Sequence, residues 1–252
     1  MKIAIFGKGN VGLATNRTLD ANADFHDPAK GCVIEDFTQY NLVFICVSSL
    51  VNGPHDHDAI TECLSTLAKQ SYKGLIAVRC TVSPTYLHTM QTFYPTLRIV
   101  HFPEFMKQRS DVYLDEPWVL VLGGNVADTR ELGEYLVMQH YGQREQLLYT
   151  TLIESGLIKL YQNAGLAMKV TYANLIYEAC DMFGADFDTV RKGVTADVRV
   201  GPSHTVVPGE DGFGFAGHCL PKDMKCLSSS VANRGFWAKI LEINKQLRDK
   251  NV

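Results

Sequence analysis

Gly7-Lys8-Gly9-Asn10-Val11-Gly12, a GxGxxG run directly after the apolar stretch Lys2–Phe6, constrains the fold more than any other feature of the 252-residue chain. A glycine pattern between a buried strand and a helix serves three purposes. The first glycine permits a tight turn, the second lets the backbone approach a pyrophosphate, and the third lets helix and strand pack closely, with phosphate at the helix N-terminus. Gly7, Gly9, Asn10, Val11 and Gly12 are therefore the candidate cofactor-binding turn. A second strand, expected at Ala23–His26, ends at Asp27, twenty residues past Gly7. A carboxylate there binds both ribose hydroxyls of NAD and repels the extra phosphate of NADP; the other reading is a turn aspartate before Pro28.

The rest of the first half keeps the same rhythm. Leu42–Val47, Leu75–Val78, Arg98–His101 and Trp118–Leu122 are short β-branched or apolar runs expected to be buried parallel strands. Between them lie helical patterns such as Asp58–Gln70 and Asp128–His140. This alternation predicts an α/β fold with an open, doubly wound Rossmann-type sheet. After about Leu152 the pattern changes. Glu154–Phe183 holds apolar residues at helical spacing for roughly eight turns without proline, and Gly184 follows as a stop. A shorter helix near Asp188–Lys192, a glycine-rich loop and a last helix over Ala232–Asp249 complete an all-helical second part. The expected domains are 1–152, binding the cofactor, and 153–252, helical and dimerising.

Charge and cysteine usage narrow the function. Lys and Arg number 24 against 27 Asp and Glu, a net charge of −3, and the pI is near 6.2. That excludes the broad basic face that nucleic acid or an anionic membrane requires. No apolar run is long enough for a membrane span, and the start runs straight into glycines rather than a cleavage site. Seven cysteines scattered without CxxC spacing fit reduced thiols in the cytoplasm. His55-Asp56-His57-Asp58 invites a metal reading, but the ligands are crowded and Asp58 suits the cap of the next helix, so no metal is expected.

The most informative stretch is Gly212–Asp223, GFGFAGHCLPKD. Its glycines imply close approach of backbone to a ligand. Pro221 suits a first helical turn, which sets Cys219 beside a helix N-terminus with Lys222 nearby; both favour thiolate. The stretch resembles the GFGGxCxPKD signature of the UDP-glucose/GDP-mannose dehydrogenase family. The likeness extends along nearly the whole chain through the N-terminal fingerprint, Cys80-Thr81-Val82, Pro103-Glu104-Phe105, Lys159 with Asn163, and Asp197-Val198-Arg199-Val200-Gly201.

The resemblance implies oxidation of the primary alcohol of a nucleotide sugar to a carboxylate in two hydride transfers, with NAD as cofactor and UDP-glucose to UDP-glucuronate as the expected case. Cys219 would be the nucleophile that traps the aldehyde as a thiohemiacetal, giving a thioester that water hydrolyses. Lys159 and Asn163, four apart on one helix, would bind the developing oxyanion. Thr81 would position water, Glu104 would act as general acid/base, and Asp223 would orient water. Phe105, Phe213, Gly217 and Lys222 would contact substrate, and Arg199 would reach across a homodimer interface to the neighbouring site.

The chain departs from the family pattern in three places. Gln108 and Arg109 replace a glutamate and a small residue in the segment after Glu104, where Gln108 would touch the cofactor without a charge. Ala216 stands where a glycine is usual. The sequence resembles a short form lacking the C-terminal UDP-binding domain. Two other readings remain: a one-step β-hydroxyacid-type dehydrogenase, which also uses a helix lysine and asparagine, and a non-catalytic module that binds NAD or a nucleotide sugar.

Overall fold

Alternation of side chains across a strand decides how the first half of the chain can fold, because each apolar run must bury both of its faces. The computed structural model describes residues 1–19, 22–105 and 119–250. It forms two compact units, Met1–Lys159 and Leu160–Val252.

In the first unit β1 (Ile3–Phe6) leads through α1 (Asn10–Thr18) to β2 (Asp24–His26). There follow β3 (Leu42–Ile45), α2 (Asp58–Lys69), β4 (Leu75–Val78), α3 (Pro84–Phe93), β5 (Arg98–His101), β6 (Leu120–Gly124), α4 (Val126–Met138) and β7 (Leu147–Thr150). The seven strands form one sheet in the order β2-β1-β3-β4-β5-β6-β7. Residues of odd and even register feed opposite cores. Ala4, Phe6, Val43, Ile45, Ile76 and Val78 pack with Ile60, Leu64 and Leu67 of α2 and with Leu87 and Met90 of α3. Ile3, Ile5, Leu42, Phe44, Leu75 and Ala77 pack with Leu132, Tyr135 and Leu136 of α4. The fold is therefore the expected Rossmann-type doubly wound sheet, with the reversal of strand order between β1 and β3, where α/β sheets bind ligands.

Two expectations are corrected. The strand expected at Trp118–Leu122 is not parallel to its predecessor: β6 runs antiparallel to β5, pairing Val100 with Gly124 and His101 with Gly123. An apolar run carries no direction, which comes instead from the connection before it; Trp118 itself lies outside the described residues. Asp58 does not cap α2. It is the first helical residue, and His57 occupies the cap position with its ring on the Ser83 hydroxyl at 2.8 Å rather than on the N–H groups of α2. The capping role falls to Asp56, whose carboxylate accepts the Asp58 and Asn52 N–H groups.

α5 (Leu152–Phe183) is one 32-residue helix, ended by Gly184 at φ 66. The second unit adds α6 (Phe187–Thr195), α7 (Cys219–Ser230) and α8 (Arg234–Asp249). Its core includes Leu160, Ala164 and Ala167 of α5, Met224 and Leu227 of α7, and Trp237 and Leu247 of α8. Sheet first and helices second is the architecture read from the chain order.

Candidate active site

At the β1–α1 turn the three glycines have three different environments. Gly7 has φ +89, and a Cβ there would lie 2.6 Å from the Cys46 carbonyl oxygen. A Cβ on Gly12 would lie 2.1 Å from the Gly7 oxygen, whereas one on Gly9 would meet nothing within 4 Å. The outer glycines thus make the turn and the close packing, and the middle one keeps its surface open. Gly9 is also the cap of α1, with no side-chain bond over the first turn, in which Asn10 and Val11 follow. A dinucleotide pyrophosphate fits such a turn. Asp27, just after β2, accepts the Lys8 N–H at 2.9 Å through one carboxylate oxygen. It therefore braces the glycine turn.

The second cluster gathers around Lys159, which is 4 % exposed. Its ammonium donates to the Glu104 carbonyl oxygen at 2.5 Å. It also lies 4.0 Å from the Glu104 carboxylate and 4.9 Å from the centre of the Phe105 ring. A buried ammonium held between a carbonyl, a carboxylate and an aromatic face is a fixed cation that can stabilise developing negative charge or exchange a proton with Glu104. The Glu104 N–H donates in turn to the Arg79 carbonyl oxygen at 3.3 Å. Thr81, buried just past β4, accepts the Ser49 hydroxyl on its carbonyl at 2.8 Å.

In the second unit Asp223 is wholly buried. One carboxylate oxygen accepts the Asn163 amide at 2.6 Å and the other the Lys222 ammonium at 2.5 Å. Asn163 so spends one of its two amide hydrogens and keeps a fixed orientation. Cys219 is the first residue of α7 and half-buried, so its sulfur begins at the positive end of a helix dipole. The loop before it has positive φ at Gly212, Gly214 and Gly217. Phe213 packs edge-on against Tyr177 at 5.3 Å. Arg199 is 86 % exposed in its side chain and folds back on Asp197, with Nε 3.0 Å from Oδ1 and Nη2 2.5 Å from Oδ2.

Gln108, with Met106, Lys107, Arg109 and Ser110, lies outside the described residues. The other cysteines divide by burial. Burial pushes the thiols of Cys46 and Cys63 up to about 12 and that of Cys226 to about 11. Cys80 and Cys180 are also buried, but Cys32 is partly exposed and sits 3.5 Å from the Lys8 ammonium. Cys219 and Cys226 are separated along α7 by roughly 10 Å, beyond disulfide reach. Among the described residues no His, Cys, Asp and Glu gather as a metal site, and no helix is long and apolar enough to cross a membrane.

Several residues that hold these clusters carry no sequence signal of their own. Asn174 of α5 accepts the Gly214 N–H at 3.1 Å. Asn244 of α8 accepts the Phe215 N–H at 2.7 Å and donates to its carbonyl at 3.0 Å. Two buried amides from distant helices thus pin the loop that leads to Cys219. In the first unit the fully buried Arg79 stacks its guanidinium 4.1 Å from the Phe102 ring centre and donates to the Tyr141 hydroxyl at 3.1 Å. His101, buried at the end of β5, is the other such residue. A polar residue on the buried stripe of an amphipathic helix, as Asn244 is, was the one available hint.

Residues 154–250 match the UDP-glucose/GDP-mannose dehydrogenase family, central domain. A UDP-glucose 6-dehydrogenase of Rickettsia bellii is 27% identical over 219 residues, 82% of this chain and 49% of the relative; the chain spans about half the length of the curated relatives it matches. A solved UDP-glucose dehydrogenase from Pyrobaculum islandicum superposes with a TM-score of 0.80 at 17% identity, covering 99% of this chain and 68% of that one. The 3-hydroxyisobutyrate dehydrogenase of Mycobacterium tuberculosis gives 0.73 at 16% identity, covering 97% and 92%. These two likenesses show the fold, which dehydrogenases of different names share.

Proposed function

We propose that this chain, whose residues 154–250 match the UDP-glucose/GDP-mannose dehydrogenase family, central domain, oxidises the primary alcohol of a nucleotide sugar, UDP-glucose first among them, to the carboxylate in two NAD-dependent steps. The observation that carries the reading is the buried Asn163–Asp223–Lys222 network one turn along α7 from Cys219. A packing cysteine has no need of a buried carboxylate four residues on, tied to both an amide and an ammonium.

The Gly7–Gly12 turn and Asp27 would hold the dinucleotide, which when bound would supply the hydride acceptor for each step; the acidic Asp27 would select NAD over NADP. The chain's own groups do the rest. Glu104 takes the hydroxyl proton as the first hydride leaves carbon, and Lys159 stabilises the alkoxide as it forms. The Cys219 thiolate adds to the resulting aldehyde. Loss of the second hydride leaves a thioester, and a water oriented by Thr81 and Asp223 cleaves it to carboxylate, returning the thiol. We assign substrate contacts to Phe105 in the first unit and, separately, to Phe213, Gly217 and Lys222 in the second. We place the reaction in the cytoplasm, in a homodimer whose Arg199 reaches the neighbouring site.

Counting NADH produced per sugar over UDP-glucose, UDP-galactose, UDP-N-acetyl sugars and GDP-mannose tests the reading. Two NADH per sugar are expected, with Cys219→Ser reduced to at most a slow first oxidation. One NADH per substrate would instead indicate the one-step β-hydroxyacid type. Tight NAD binding with no turnover on any sugar would make the chain a binding module.

A further inference from the structure

His101 is fully buried at the end of β5 and has no part in the steps above, yet its ring contacts two segments that carry proposed active-site residues. One ring nitrogen, Nε2, lies 3.1 Å from the carbonyl oxygen of Cys80, the residue before Thr81. The other, Nδ1, lies 2.7 Å from the Ser155 hydroxyl on α5. A carbonyl only accepts, so Nε2 carries the proton; in the neutral ring Nδ1 shares the single Ser155 hydroxyl hydrogen with the Leu152 carbonyl oxygen, 2.7 Å from the same Oγ. Ser155 and Lys159 are four apart on α5 and share one helix face. Lys159 in turn donates to the carbonyl of Glu104, three residues beyond His101.

The contacts therefore close a ring: His101 to Ser155, one helical turn to Lys159, across to Glu104, and back along the chain to His101. A branch runs to the Cys80–Thr81 bend. The space is built for the pair, since a Cβ on Gly123 of β6 would lie 2.2 Å from the Ser155 Oγ. We infer that His101 is a positioning residue that clamps the Lys159 face of α5 to the Cys80–Thr81 bend and so fixes Lys159 against Glu104. The inference rests on the reading of Lys159 as an active-site group. Burial and the nearby Lys159 charge push the imidazole down to about 4, so the ring stays in the neutral tautomer the clamp requires near neutral pH.

The test uses the intact chain with Ser155→Ala, His101→Gln and His101→Asn, each checked for folding by circular dichroism. On the sugar that the parent oxidises, Ser155→Ala and His101→Gln should lose roughly tenfold or more in kcat, the penalty of a misplaced group, with NAD affinity unchanged. His101→Asn, which keeps a polar atom near Nδ1, should recover part of the loss. Limiting acetylation read by mass spectrometry gives a second measure that needs no turnover. Lys159 should label roughly threefold faster or more in the first two variants as its site loosens, while the exposed Lys73 and Lys245 do not change. Folded variants with parental kcat and parental Lys159 labelling would overturn the inference. If the parent reduces no cofactor with any sugar, or Lys159→Ala keeps parental kcat, the functional reading falls instead, and the labelling still decides whether His101 positions Lys159.

Discussion

At the scale of single residues the glycine turn separates two properties that usually change together, stability and ligand affinity. Alanine at Gly12 would drive its Cβ to 2.1 Å from the Gly7 carbonyl oxygen, a backbone atom that no side-chain rotation can relieve. The helix-propensity gain of about 1 kcal/mol is outweighed by overpacking, so Gly12→Ala should lose about 2 kcal/mol or more in urea unfolding. Gly9→Ala meets nothing within 4 Å, and its φ of −89 suits any residue. It should lose about 1 kcal/mol at most, through the weaker N-cap preference of alanine. Yet its methyl would stand where the pyrophosphate approaches, so NAD affinity should fall roughly tenfold or more, about 1.4 kcal/mol. Equal NAD affinity for Gly9→Ala and the parent would remove the turn from the cofactor site.

Elements were legible where a local pattern dictates them. β4 and β5 lie where their apolar runs predict, and α5 extends its apolar spacing by two residues to Leu152. Two elements escape the sequence. α3 is rich in Thr, Tyr, His and Phe, which are indifferent helix formers, and depends on Ser83 capping the Tyr86 N–H with Pro84 in the first turn. β7 is a partly exposed edge strand with no alternation to mark it. The site divides the same way: the Gly7–Gly12 and Gly212–Asp223 runs are readable because their residues are neighbours. The Asn174 and Asn244 contacts to the glycine loop join residues 40 and 29 positions apart and follow only from packing.

α5 also carries an exposed apolar pattern, of which Tyr161 packs edge-on against Trp237 of α8 at 5.8 Å. Tyr161, Met168, Leu175 and Met182 recur every seven residues and are 46, 37, 43 and 73 % exposed, with Tyr172 at 48 % between them. A seven-residue apolar repeat on one face is a helix-pairing seam, which supports the proposed homodimer. Burying each such side chain against a second copy stabilises it by about 1–2 kcal/mol. Light scattering should find the parent a dimer and Leu175→Glu a monomer of unchanged helicity. A parent that stays monomeric at tens of micromolar would exclude α5 as a dimer seam.

For the molecule as a whole, His101 couples the buried clamp to the pH dependence of folding. Its imidazole titrates near 4 in the folded chain, first because burial disfavours the charged ring and then because Lys159 stands close. The ordinary value, expected of the unfolded chain, is about 6.5. Between those values the unfolded chain holds a proton that the folded chain does not, so stability is full above 6.5 and falls as the pH drops toward 4. From pH 7 to pH 5 this one group should remove about 2 kcal/mol, and by pH 4 about 3 kcal/mol. Carboxylates and the other histidines titrate in the same range, so the quantity to measure is the difference between the parent and His101→Gln, in which their contributions cancel. Urea unfolding at pH 7, 6 and 5 should show the gap between the two proteins narrowing by about 2 kcal/mol as the pH falls. A constant gap would mean that the ring takes up a proton as readily in the folded chain as in the unfolded one. It would then be no neutral clamp beside Lys159, because a charged ring could not accept the Ser155 hydroxyl proton on Nδ1.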